Sequence, residues 1–287
     1  MKKLLMRGSA ILLFLPVLLP RAAGASTYWE AIARAQDLSG LPASTNLLTL
    51  SYDRLITTNV GGATYLKTVS LMTGSTWSNY YQPYEGWAVA LSNGAGYESW
   101  VSFEPELKEY ITARTNEFDT GSLTSVAMRA EQVLGISNAA THLFAATLWV
   151  APDGLFRPAI NWTTTNAATF RDWTDHDTDG PAWFGGTYGR SYFSWFTNRQ
   201  ATIYSGSGAF PWTGLGYSFD WFYDTNSPRV IGVSEFVIGA QRTYYVDSGS
   251  LVDEYFDFAI PEPGGCVMVA VALPALSAFH ALRRRTI

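Results

Sequence analysis

Between residues 27 and 150 the apolar positions follow recognisable periods. Thr27-Tyr28-Trp29-Glu30 sets a hydroxyl three residues before a carboxylate. That capping-box pattern predicts a helix to about Leu38, with Gly40 as its left-handed cap. Residues 46–56 and 64–72 are rich in Leu, Thr, Val and Tyr and predict two strands, turned by Asn59-Val60-Gly61-Gly62. Trp87 to Leu91 and Tyr97 to Phe103 predict a second pair, joined through Ser92-Asn93-Gly94. Pro105 suits a first helical turn, and Glu104 and Glu106 sit at its positive end. Leu107, Tyr110 or Ile111, and Phe118 give that helix one apolar face. Leu123, Val126, Ala127, Ala130, Val133 and Leu134 keep helical spacing from Ser122, and Gly135 ends the run. Residues 143–150 read as a buried strand.

From 151 to about 228 the helical period is lost. Gly, Pro, Asn, Asp and aromatic residues predict strands and long ordered loops, with a short helix near 167–173. The segments 192–198 and 217–226 share an aromatic string too short to be a repeat. Strands at 229–238 and 241–247, turned at Gly239-Ala240, close the segment. The elements do not alternate β-α-β, so the expected class is α+β: one mixed body over 26–260, with a helical middle and a Trp-rich, loop-rich second half.

The two ends differ from this body. Lys2, Lys3 and Arg7 precede an apolar run from Ala10 to Leu19, and Ala23-Gly24-Ala25 follows. Residues 1–25 therefore read as a cleavable signal peptide, since the apolar run is shorter than the roughly 20 residues of a span. An uncleaved anchor is the alternative. At the other end Pro261-Glu262-Pro263 precedes an apolar stretch to Leu282, and Arg283-Arg284-Arg285 follows. The positive-inside bias keeps those arginines cytoplasmic, so the body faces outward.

Motif, apolar helix and basic cluster together resemble a PEP-CTERM sorting signal, the tail on which exosortases act. The resemblance is confined to residues 261–287. It implies cutting at or near Pro261-Glu262-Pro263, attachment to the cell envelope, and association with extracellular matrix. A plain tail anchor gives the same topology. The expected partners are signal peptidase, an exosortase-type sorting enzyme, the membrane through the C-terminal helix, and an exopolysaccharide.

Removing the ends changes the charge. Of 19 Lys and Arg, seven lie in the ends; of 24 Asp and Glu, one does. Residues 26–260 thus carry 12 against 23, a net charge near −11. Such a surface repels phosphate backbones, so no nucleic-acid partner is expected. The single cysteine, Cys266, lies in the tail, so the body holds no disulfide.

The sharpest local motif is Asp175-His176-Asp177-Thr178-Asp179-Gly180. Asp175, Asp177, Asp179 and Gly180 match the start of an EF-hand-type loop and admit calcium as a cofactor, but Gly186 stands where the bidentate Glu belongs. A solvated acidic turn is the alternative. Seven of the eleven Trp lie between 149 and 221. Trp183, Trp195, Trp212 and Trp221 are candidates for stacking on sugar faces, or else fill the core. No His-Glu-x-x-His or Gly-x-Ser-x-Gly motif occurs. A glycosidase needs only two carboxylates, and Asp175, Asp177, Asp179, Asp220 and Glu235 lie nearest the aromatic half. Two functions follow: a non-catalytic surface or matrix protein with calcium or glycan affinity, or a secreted polysaccharide hydrolase. Buried Trp rings favour the first, and rings lining a groove beside two acids favour the second.

Overall fold

The computed structural model describes residues 27–51, 53, 55–86 and 90–258. The expected signal peptide and sorting tail lie outside the described residues. The body is α+β, as expected.

Helix α1 (Tyr28–Ala35) opens on the predicted capping box: Thr27 Oγ1 accepts from Glu30 N at 3.1 Å, and Glu30 Oε2 from Thr27 N at 2.5 Å. It ends before Leu38, and Gly40 belongs to a separate short turn, Leu38–Gly40. Strands β1 (Thr57–Val60) and β2 (Ala63–Met72) form a hairpin over Gly61-Gly62. Among the described residues the strand expected over 46–56 is absent. Leu47 and Leu50 donate their amides singly, to the carbonyls of Ala167 and Thr164, so this run packs its side chains without joining a ladder.

A single turn, α2 (Gly74–Thr76), leads through a wider turn to Tyr81. Strands β3 (Leu91–Ser92) and β4 (Ser99–Phe103) follow, then α3 (Glu104–Thr112) and α4 (Leu123–Leu134). Ser122 caps α4 through Ser125 N, and Gly135 ends it at φ +63°, both as the sequence predicts. Next come β5 (Phe144–Val150), β6 (Leu155–Phe156), α5 (Phe184–Tyr188), α6 (Tyr192–Thr202), β7 (Tyr217–Phe219), β8 (Ile231–Ser234), β9 (Phe236–Ile238), β10 (Thr243–Leu251) and α7 (Val252–Tyr255).

Eight strands form one antiparallel sheet in the order β3-β10-β5-β2-β4-β9-β6, with β1 beside β2; β7 and β8 pair separately. Residues 87–89 of the strand expected from Trp87 lie outside the described residues, and among the described residues the local hairpins expected within 87–103 and 229–247 are absent. Strand β3 pairs with β10, and β4 with β2 and β9. Asn93 reaches across instead of turning a hairpin, donating from Nδ2 to the carbonyls of Ile238 at 3.0 Å and Gly239 at 3.3 Å. The helix expected near 167–173 is also absent. Helical spacing returns later: Tyr192, Trp195 and Phe196 form the buried face of α6, while the look-alike string at 217–219 is a strand.

Helices α3, α4 and α7 cover one face of the sheet through Leu107, Ile111, Val126, Val133 and Val252. The other face packs Leu66, Phe103, Leu148, Phe236 and Val246. A third cluster joins α1 to β7, and a fourth, built on Phe156, Trp195, Phe196 and Trp212, underlies α5 and α6. Among the described residues no helix is long and apolar enough to cross a membrane.

The helical middle and the second half meet at a buried ion pair. Arg129 of α4 forks onto Asp220, Nη1 to Oδ1 at 2.9 Å and Nη2 to Oδ2 at 2.8 Å, and Asp220 is fully buried. Tyr110 donates to the same Asp220 Oδ2 at 2.8 Å, and Glu117 accepts from Arg129 at 2.9 Å. Burial alone would favour loss of the Arg129 proton; the two carboxylates outweigh it and hold its pKa above the usual value. Removing one member of such a pair strands the other charge, at a cost of about 3–5 kcal/mol. Asp220→Asn is therefore expected to lower the unfolding free energy by that amount in urea titrations. The double change Arg129→Met with Asp220→Leu should cost less than the sum of the two single changes.

Candidate functional site

The pairing of β2 with β4 is short. Strands β2 and β4 pair only at Thr68–Phe103 and Val69–Ser102. The same register would next bring Leu71 opposite Trp100, but the strands separate there. Residue 71 alternates with 67 and 69, and Lys67 directs its amide to this edge, onto Ile56 O. Residue 100 likewise alternates with 102, while Ser99 and Val101 face β9. The main-chain groups of Leu71 and Trp100 therefore face each other across a gap.

That gap opens a cleft of about 420 Å³. Its walls include Ser70, Leu71 and Met72 of β2 and Ser99, Trp100 and Val101 of β4. Tyr81 reaches over one end, its hydroxyl 3.5 Å from Ser99 Oγ, which donates to Asn93 Oδ1 at 3.0 Å. His142 stands at another side. Its Nδ1 is 2.7 Å from Glu131 Oε1, and the amides of Ala140, Thr141 and His142 donate to the same carboxylate at 2.8–2.9 Å. Burial alone would raise the Glu131 pKa, but His142 and these amides more than offset it and hold it below the usual value.

Two carboxylates line the cleft, Glu98 and Glu235. Glu98 is fully engaged: Trp195 Nε1 donates to Oε1 at 2.7 Å and Arg199 Nη2 to Oε2 at 2.5 Å. Glu235, in the link between β8 and β9, is the opposite case. Its Oε2 is buried with no hydrogen-bond partner among the described residues. Burial pushes its pKa up to about 8, against the attraction of Arg157, so at neutral pH it is mostly a neutral acid.

Arg157 stands behind Glu235 and donates to the carbonyls of Leu48 and Gly216. It lies over the Phe236 ring at 4.7 Å. Burial brings its pKa down to about 10, against the pull of Glu106 and Glu235. Gly216 holds φ +83°, and a Cβ there would come within 2.5 Å of Arg157 Cδ, so the guanidinium fits only against glycine.

The predicted calcium loop has another role. Asp175, Asp177 and Asp179 are exposed, and Asp177 Oδ1 is taken by the amide of Asp179 at 2.8 Å. Among the described residues no group of three or more His, Cys, Asp or Glu is arranged to hold a metal ion. Instead the turn caps α6: Tyr192 N donates to Asp179 O at 3.2 Å and Phe193 N to Thr178 O at 2.9 Å. Gly180 serves the packing, because at φ +86° a Cβ would lie 2.7 Å from Tyr192 Cβ.

Three of the four candidate tryptophans lie in the core. Trp195 and Trp212 are each 1 % exposed and Trp221 is 7 %. Trp195 stacks on Tyr192, Trp212 packs on Phe196 at 4.9 Å, and Trp221 meets Tyr28 edge-on. Trp183 is half-buried, donates to Asp153 O at 2.8 Å and carries Arg242 over its ring at 4.5 Å. The aromatic half of the sequence is core. Of the acids considered for hydrolysis, Asp220 is consumed by Arg129, and Glu235 alone reaches the cleft. Glu98, Arg199 and Trp100 escaped sequence reasoning. The available signal was the alternation Glu98, Trp100, Ser102, which sets an acid on the same side of β4 as an aromatic ring.

Comparison with known proteins finds no matching family model, no matching curated sequence and no matching solved structure.

The state of Glu235 has a consequence for stability. Its folded pKa of about 8 exceeds its ordinary value of 4.5. Stability from its neutral form is full below about pH 4.5 and is lost as pH rises through about 8, on the order of 1.4 kcal/mol per unit of displacement. Urea unfolding at about pH 5 and about pH 8.5 should show this loss in the wild type and a smaller one in Glu235→Gln.

Proposed function

We propose that the chain is an exported surface or matrix protein, attached to the cell envelope through residues 261–287, whose body binds a ligand without transforming it. The address rests on the paired terminal patterns: a signal peptide over 1–25, and Pro261-Glu262-Pro263 with its apolar segment and Arg283-Arg284-Arg285. The non-catalytic part rests on one observation, that both oxygens of Glu98 are held, by Trp195 and Arg199. Glycoside hydrolysis needs a second free carboxylate to act as base or nucleophile. The cleft offers Glu235 as an acid, with Glu98 held in an ion pair with Arg199.

Deleting residues 261–287 is expected to release the protein from the membrane fraction. Glu262→Ala, in a host that has an exosortase, should leave the full-length tail unprocessed, as judged by intact mass. Retention of the truncated chain in the membrane would rule out the tail as anchor. Equal processing of both forms would make it a plain tail anchor.

Calcium at Asp175, Asp177 and Asp179 is not part of this reading, because their turn caps α6 and they are not gathered round a point. The melting temperature is expected to be the same in chelator and in calcium at about 1 mM, the range of weak extracellular sites. A rise of a few degrees that Asp177→Asn abolishes would return calcium to the account.

A further inference from the structure

We infer that the cleft between β2 and β4 is a binding site for a neutral saccharide of one or two rings. The proposal deepens the non-catalytic binding reading by naming the site and the ligand class. Three observations carry it.

The first is the hydrogen-bonding character of the walls. The ladder between β2 and β4 ends at Val69–Ser102, so Leu71 and Trp100, the next residues whose main-chain groups face across, are not paired in it. Buried main-chain groups require partners, so the gap favours an occupant that both donates and accepts. The side chains around it have the same dual character: Ser70, Thr73, Thr76 and Ser99 hydroxyls.

The second is charge. Every ionisable side chain that lines the cleft, apart from Glu235, already has a partner within the protein: Glu98 with Arg199, and His142 with Glu131. Glu235 completes the set as an acid that donates through one oxygen and accepts through the other. Its Oε2 is the buried polar atom that has no partner in the wall. A cationic or anionic ligand would find no free counter-charge here. A polyhydroxyl ligand matches the donors and acceptors one for one.

The third is shape. The volume of about 420 Å³ lies low in the range of about 300–1,000 Å³ typical of small-molecule sites. Trp100 and Phe210 meet edge-on at 6.1 Å on one wall, and Tyr81 closes the end. Such rings supply apolar surface for the C–H faces of a pyranose, while its hydroxyls meet the strand edges. Trp195, Trp212 and Trp221 do not contribute, because their rings are spent in the core.

The test is isothermal titration of the full chain in detergent with maltose and cellobiose, set against glucosamine, glucuronate and an extended tripeptide. A neutral disaccharide is expected to bind, and to raise the melting temperature by about 3–6 °C at about ten times Kd. Thr76→Trp, at the partly exposed end of the cleft, should weaken binding at least tenfold with the melting temperature of the free protein kept. Glu235→Leu should weaken it by a similar factor, and Glu235→Gln, which retains one donor and one acceptor, should restore most of it. Binding of neither disaccharide overturns the assignment, as does preference for a charged sugar or the tripeptide, or indifference to Thr76→Trp. Release of reducing ends from the bound disaccharide would keep the cleft and overturn the non-catalytic reading. The membrane-release assay is independent of both.

Discussion

Arg129 carries a charge that burial cannot remove, and the arrangement of both halves of the body follows from neutralising it. Its guanidinium is 3 % exposed and faces Asp220, which is wholly buried. Tyr110, Glu117 and Tyr223 complete the set, with Tyr223 donating to Glu117 at 2.5 Å and Arg229 reaching the same carboxylate at 2.7 Å. The ring faces of Phe222 and Phe118 lie 4.4 and 5.6 Å from the guanidinium carbon. Helices α3 and α4 and the segment after β7 thus meet at one point. The pair adds little net stability, since desolvation takes back most of the Coulomb gain, but any packing that separates the partners leaves a bare charge in the core.

A second buried arginine does similar work behind the cleft with a different outcome. Arg157 has no carboxylate in direct contact and is bonded to carbonyl oxygens, so Glu106 and Glu235 feel it only through space. Ser234 supports Glu106 through its amide and hydroxyl, at 3.1 and 2.8 Å. Even so, burial holds the Glu106 pKa above its ordinary value. Burial also displaces the Glu235 pKa upward, to about 8. One guanidinium between two acids cannot stabilise both as anions in so apolar a place, which keeps a neutral carboxyl at the cleft wall.

The cleft opens where the pairing of β4 with β2 ends, while β4 stays paired to β9 on its other edge. The first half of β4, Ser99 to Val101, pairs with β9, and its last residues pair with β2. Trp195 and Arg199 of α6 pull on Glu98 at its start. That opening lies beside the aromatic core that α6 completes, which is why the second half of the chain shapes the site although its tryptophans do not line it.

Some of this was legible in the chain itself. The capping box at Thr27, the Ser122 and Gly135 ends of α4, the Gly61-Gly62 turn and the apolar run of β5 all came from contacts within about four residues, which the sequence displays directly. The aromatic spacing of Tyr192, Trp195 and Phe196 also announced a helix, but the surrounding Gly, Asp and Pro masked it. What remained hidden depends on distant partners. Gly180 reads as a metal-loop glycine until Tyr192 is found against it, and Trp212 as a sugar platform until Phe196 and Trp100 cover it. Leu71 and Trp100 read as ordinary strand residues until the ladder between them stops. A strand's neighbour, a ring's covering and a charge's partner are set by which distant segments meet, and only the tertiary structure decides that, because burial rewards contact area without regard to separation along the chain.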